Sequence, residues 1–127
     1  MSASNYLELK LLDHSLGTTS YTAPSNVYLA LSTATIDDDA SGTELSGNGY
    51  ARQAITFAAA SGGSVSSNAT VTFPTATGSW GTISHWSIWD ASTTGNLLFH
   101  GSFSASKAIA TGDVLKVTSG DLTISVN

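Results

Sequence analysis

Trp80-Gly-Thr-Ile-Ser-His-Trp-Ser-Ile-Trp-Asp-Ala-Ser-Thr-Thr-Gly-Asn-Leu-Leu-Phe-His-Gly101 is the stretch that decides the fold. Thr82 to Asp90 and Asn96 to Ser104 read as β-strands, and Ala91-Ser-Thr-Thr-Gly95 between them is a hairpin connection. Alternation puts Trp86 and Ile88 on one face of the first strand and Ile83 and Trp89 on the other. Neither face suits water, because a tryptophan in a core buries about 150–250 Å². One tryptophan is therefore expected in the core. A second is expected either in the core or a subunit interface, or as an exposed platform for a sugar or a partner protein.

Outward from this hairpin, other strands follow. Val27, Leu29 and Leu31 alternate with Tyr28, Ala30 and Ser32. Arg52 to Ala58 sets Ile55 and Phe57 on one face, and Asn68 to Phe73 aligns Val71 with Phe73 before Pro74 ends it. Val114 to Thr118 and Leu122 to Val126 read as a final pair. Residues 34–49 form a long loop, with Asp37-Asp38-Asp39 at its tip and Gly42, Gly47 and Gly49 supplying turns. Ala58 to Ser64 is a small-residue connection. About seven short strands at this spacing predict a mainly β chain, an antiparallel β-sandwich or a small barrel of jelly-roll type.

One helix is expected, at about residues 4–16. Ser4 or Asn5 can cap its N-terminus, Glu8 lies three after Asn5 as in a capping box, and Gly17 is a natural stop. Tyr6, Leu9, Leu12 and Leu16 recur at helical spacing, and Leu7 and Leu11 widen the apolar stripe. Such a helix is marginal in water by itself, so it either closes one end of its own sheet or docks on a neighbouring subunit. The organisation expected is one domain, 1–127, with the β part at about 26–127.

Composition narrows the function. Charged residues are 10% of the 127, against roughly 25% in typical soluble domains. Lys10, Arg52, Lys107 and Lys116 are the strong cations, and the formal net charge is -5. Four scattered cations make no basic stripe for phosphate, so nucleic acid is not an expected partner. No apolar run approaches the ~20 residues of a membrane span, and no basic-plus-apolar secretory start is read. The expected strands hold few charges to guard their edges, and the surface is rich in Ser, Thr, Gly and Ala. Edges of that kind are expected either to be covered by the chain's own helix and long loop or to pair with other subunits.

No chemistry-bearing motif emerges. A nucleophile elbow, a phosphate-cradling loop and a His-Glu-x-x-His helix are all missing from the sequence. Ser84, His85 and Asp90 are close in sequence, but alternation sends Ser84 and His85 to opposite faces. His85 and His100 are placed to face each other across the hairpin. Asp37, Asp38, Asp39 and Glu44 lack the alternation and glycine of a calcium loop and read as a solvated acidic tip. No catalytic residue, metal or other cofactor is expected.

Ser4 to Gly17, Gly42-Thr-Glu-Leu-Ser-Gly-Asn-Gly-Tyr-Ala-Arg-Gln-Ala-Ile-Thr-Phe57 and Trp80 to Gly101 together resemble small virion structural proteins of tailed bacteriophages, a family with tail-fibre-like and capsid-decoration members. The resemblance implies a non-enzymatic virion protein made in the host cytoplasm and carried on the capsid exterior or the tail. A capsid decoration or cement protein is the expected role. A tail-fibre-associated or baseplate subunit, with a glycan-binding role open to it, is the alternative. The implied partners are copies of the chain, with a trimer favoured, and the major capsid protein or other virion subunits. Tyr6, Leu9, Leu12, Leu16, Tyr50, Arg52 and Trp89 are the candidate interface residues.

Overall fold

In the computed structural model, residues 1–126 are described. The elements run β1 (Ser2–Ala3), α1 (Asn5–Ser15), β2 (Val27–Ser32), β3 (Gln53–Ile55), β4 (Ser64–Ser66), β5 (Val71–Thr72), β6 (Gly81–Trp89), β7 (Leu97–Ile109), β8 (Lys116–Val117) and β9 (Thr123–Ser125). A five-stranded antiparallel sheet has the order β1-β7-β6-β2-β3. Two small antiparallel pairs, β4-β9 and β5-β8, make the second layer. The chain is mainly β and sandwich-like, and the described strands do not close into a barrel.

The hairpin read from the sequence forms, and its tip shows why. Asp90 accepts from the Asn96 backbone N–H (2.7 Å) and side-chain amide (3.0 Å), tying the two strand ends together. A Cβ on Gly95, at φ 77°, would sit 2.6 Å from the Asp90 carboxylate and 2.7 Å from the Ala91 Cβ. Only glycine fits that turn.

Leu29 pairs with Ile88 and Leu31 with Trp86, which fixes the inner face of the large sheet. Against it pack Val71, Phe73, Leu115, Val117, Leu122 and Ile124 from the second layer. The opposite face is covered at one end by a smaller cluster of Ala30, Ile36, Trp89 and Leu97. All three tryptophans are therefore buried, Trp80 and Trp86 in the main core and Trp89 in the smaller one. An exposed tryptophan platform is not what this fold builds.

A bulge corrects the strict alternation expected along β6. Between Ile83↔Lys107 and His85↔Ser102 the ladder passes over Ser84 on one strand and Phe103–Ser106 on the other. Such a bulge re-aims the side chains that flank it. Ile83 joins Trp86 and Ile88 in the main core instead of opposing them. Ser84 Oγ comes 2.7 Å from His85 Nδ1, so these two neighbours meet, and His85 Nε2 lies 3.3 Å from Thr35 Oγ1. His85 and His100 are not directly opposite: His85 faces Ser102, and His100 faces Ser87.

Other differences arise where the chain changes sheet. The strand expected over Arg52 to Ala58 is regular only at Gln53–Ile55. Thr56 then accepts from Asn68 N (3.1 Å) and Ala58 N donates to Ser66 (3.0 Å), so the chain has crossed to the second layer. The stretch read as a connection thus ends in a strand, Ser64–Ser66. Asn68 to Phe73 is strand only at Val71–Thr72. The final pair does not pair with itself. Its two strands, shortened to Lys116–Val117 and Thr123–Ser125, bind β5 and β4 respectively.

Within the large sheet Trp86 on β6 lies across Gly101, its partner on β7. A Cβ built on Gly101 would lie 2.7 Å from Trp86 Cζ2 and 3.0 Å from Cε2. The indole is a buried member of the main core, so moving it off Gly101 disturbs its other packing contacts. Gly101→Ala is expected to destabilise the fold by about 1–3 kcal/mol, the usual cost of overpacking. Denaturant melts should show the midpoint falling with an unchanged slope, and an unaltered midpoint would refute the close fit.

Candidate interaction surface

Ser4 decides where α1 starts. Its hydroxyl accepts from Leu7 N (3.2 Å), the bond that caps a helix, and donates to the Leu97 carbonyl of β7. Ser4 N donates to Leu98 (2.8 Å) and Asn5 N to Asp38 (2.9 Å), so the helix start is held by both β7 and the acidic loop. At the other end Leu16 N donates to Leu12 (3.0 Å), and Gly17 takes the left-handed conformation, φ 79°. The helix runs Asn5–Ser15, close to the expected span.

The face it buries is small. Leu7 is its one buried residue. Leu9, Leu12 and Leu16 are 64%, 58% and 76% exposed, and Leu11 also faces water. At about 100° per residue, Leu9, Leu12 and Leu16 fall within an arc of about 60°, on the far side from Leu7. Asp13 flanks this stripe on one side and Glu8 on the other. Tyr6 lies beyond Asp13, half-buried, with Lys10 Nζ 5.6 Å from its ring centroid. The structure thus brings Tyr6, Leu9, Leu12 and Leu16 together on one helix and presents the three leucines outward.

Tyr50, Arg52 and Trp89 are gathered elsewhere. The Arg52 guanidinium donates to Glu44 through Nε (3.1 Å to each oxygen) and Nη2 (2.8 Å). Nη1 donates to the carbonyls of Ala91 (2.9 Å) and Thr94 (2.8 Å), and the group lies 4.2 Å from the Trp89 ring. Tyr50 OH donates to Glu44 (2.6 Å) and accepts from Leu31 N (3.0 Å). Burial, reinforced by the bond to Glu44, pushes the Tyr50 phenol well above its ordinary range, so it stays a donor. These three residues and Glu44 clamp the loop after β2 to the hairpin tip. Sequence reasoning missed Glu44 as the centre of this clamp, because the pairing spans a loop that carries no periodicity.

The acidic tip is also tied inward. His100 Nε2 lies 2.6 Å from Asp38 Oδ1, and Ser2 Oγ donates to the same oxygen at 3.1 Å. Asp39 accepts from Ser41 N (2.9 Å) and Asp37 from Ser41 Oγ (3.2 Å). Hydrogen bonds from His100 and Ser2 hold the Asp38 carboxyl below the usual carboxylate range, and those from Ser41 do so for Asp39. Among the described residues no three His, Asp or Glu side chains converge as metal ligands, and no helix is long and apolar enough to cross a membrane.

A sparsely charged two-layer β fold with an outward leucine stripe is the setting for the comparison with known families. The family described as podophage GP4 fiber I protein gp80 matches residues 2–125. The chain belongs to that family. No curated protein matches it. Membership in the podophage fiber I family makes the chain a bacteriophage fibre-type structural protein and a component of the virion. The match takes in α1, the Arg52 clamp and the hairpin, so these features lie within the fiber I unit and not in an appendage to it.

The clamp yields one expectation. The Arg52 side chain is 7% exposed and that of Glu44 23%. Arg52→Met would strand Glu44 and two carbonyls, at a cost of about 3 kcal/mol or more. A melt of the variant should show that loss, and a wild-type midpoint would refute the clamp. The acidic tip yields another, for which the sign is set by a lowered folded-state pKa. Its stabilisation is present above the unfolded value of about 3.9 and is lost as pH falls below it. Protection of the Ser2–Asn5 amides, taken relative to their intrinsic exchange rate at each pH, should therefore fall as pH drops below about 4, and Asp38→Asn should abolish that pH step.

Proposed function

We propose that this chain is a non-enzymatic, tail-fibre-associated subunit that docks on another virion protein through the leucine face of α1. The observation that carries this reading is the stripe of Leu9, Leu12 and Leu16, exposed on a helix that buries only Leu7 in its own chain. A helix of 11 residues contributes little by itself in water, and three exposed leucines oppose solubility unless something covers them. The fiber I family supports a place on the fibre over the capsid-decoration role expected from the sequence. Asp13 and Glu8 beside the stripe favour a partner with a neutral or basic rim. A second copy of α1 would set acid against acid. The homo-oligomer expected from the sequence belongs to this reading, with contacts away from α1.

Leu9→Ser combined with Leu12→Ser tests it. Both side chains are exposed, so the variant should keep the wild-type stability within about 1 kcal/mol. Its incorporation into particles should collapse, measured as protein per purified virion. Normal incorporation of the folded variant would sink the docking role. Gold labelling of intact particles should mark the tail, and labelling spread over the head would favour decoration.

A further inference from the structure

The exposed leucines of α1 follow a particular spacing. From Asn5, steps of four, three and four residues reach Leu9, Leu12 and Leu16, and at about 100° per residue all four share one arc of the helix. All four side chains are exposed. A narrow seam on alternating steps of three and four is the pattern along which two helices pack side by side. The residues that flank such a seam choose the partner, because they meet the flanks of the opposing helix. Here Glu8 precedes Leu9 and Asp13 follows Leu12, so the charge on both flanks is acidic. Lys10 lies off the seam, beside the Tyr6 ring.

The N-terminal end of the seam carries the same sign of charge. Asn5 borders a shallow hollow of about 410 Å³ with Asp37, Asp38, Asp39 and His100. His100 partners Asp38, whereas Asp37 and Asp39 are exposed and accept only from Ser41 among the described residues. No Lys or Arg among the described residues pairs with Glu8, Asp13 or any carboxylate of the hollow.

We infer that the occupant of this face is a helix of another virion protein, its apolar seam flanked by Lys or Arg, with a further cation at the end that overlies Asn5. The inference rests on the docking role proposed for the leucine stripe and adds the partner's chemistry. From Asn5 to Leu16 the seam spans about 17 Å, so a partner helix of about 12 residues covers it. A second copy of α1 fits poorly in either direction. In parallel, each copy sets its Glu8 against the other's Asp13. Antiparallel, the opposing flanks offer those acids only Tyr6 and Ser15, neither of them a cation.

Two variants and one crosslink test the partner. Glu8→Gln with Asp13→Asn removes the flanking charge and should lower the protein per purified virion about threefold. Glu8→Lys with Asp13→Lys should lower it at least about tenfold, with the leucines untouched and the fold retained by circular dichroism. A photo-crosslinking amino acid at Asn5 should capture, on assembled particles, a helical segment of a different virion protein that carries Lys or Arg. Wild-type incorporation of the charge-reversed variant would overturn the inference. So would a captured segment without Lys or Arg, or one from a second copy's α1. Should the charge-reversed variant fail to fold, the captured segment still decides. If Leu9→Ser with Leu12→Ser abolishes incorporation while charge reversal leaves it unchanged, helix docking stands and the basic partner fails. Wild-type incorporation of both variants would sink both readings.

Discussion

The large sheet is organised around the Trp86 indole of β6 lying across Gly101 on the neighbouring strand β7. An indole is too large to cross a neighbouring strand that carries side chains, and the bare Cα of Gly101 removes the obstacle. With Trp86 in that slot, Leu31 falls opposite it on β2, and Leu29 falls opposite Ile88. The inner face of the large sheet is then a continuous apolar surface, onto which Phe73, Val117, Leu122 and Ile124 close. The short strands of the second layer need that surface, because pairs of two or three residues have almost no stability alone.

The Ser84 bulge has consequences on both sides of β6. Toward the core it brings Ile83 into the cluster that Trp86 and Ile88 occupy. Toward β7 it lets four residues loop past a single one, and three of them, Phe103, Ser104 and Ala105, form part of the wall of a groove. One irregularity therefore completes the packing and also breaks the ladder. Bulges are a usual means of turning an edge away from indiscriminate pairing.

Surface chemistry fits a virion part. The strong cations are few, and Arg52 is committed to Glu44 and the hairpin tip. So few free cations leave little for ionic contacts with an acidic neighbour, whereas apolar area is a term that salt screens least. The exposed α1 leucines offer such area, inside the stretch shared with the fiber I family.

Much of the fold was legible in the residues alone. Alternation in Val27 to Ser32, the Gly95 turn and the Ser4 and Gly17 signals are local, so β2, the hairpin and α1 could be placed before any contact was known. The leucine stripe was equally plain, since helical spacing is periodic. Its direction was not, because Leu7 and Leu9 are chemically alike and only the seat of Ser4 on β7 turns one inward and the other out. Ser84 beside His85 and Glu44 beneath Arg52 were likewise invisible, as a bulge and a loop crossing leave no period to read. Sequence thus determined the helix, β2 and the hairpin, through short-range geometry and side-chain pattern. Tertiary structure alone decided which faces are core and which stay exposed, because those depend on partners far away in the chain.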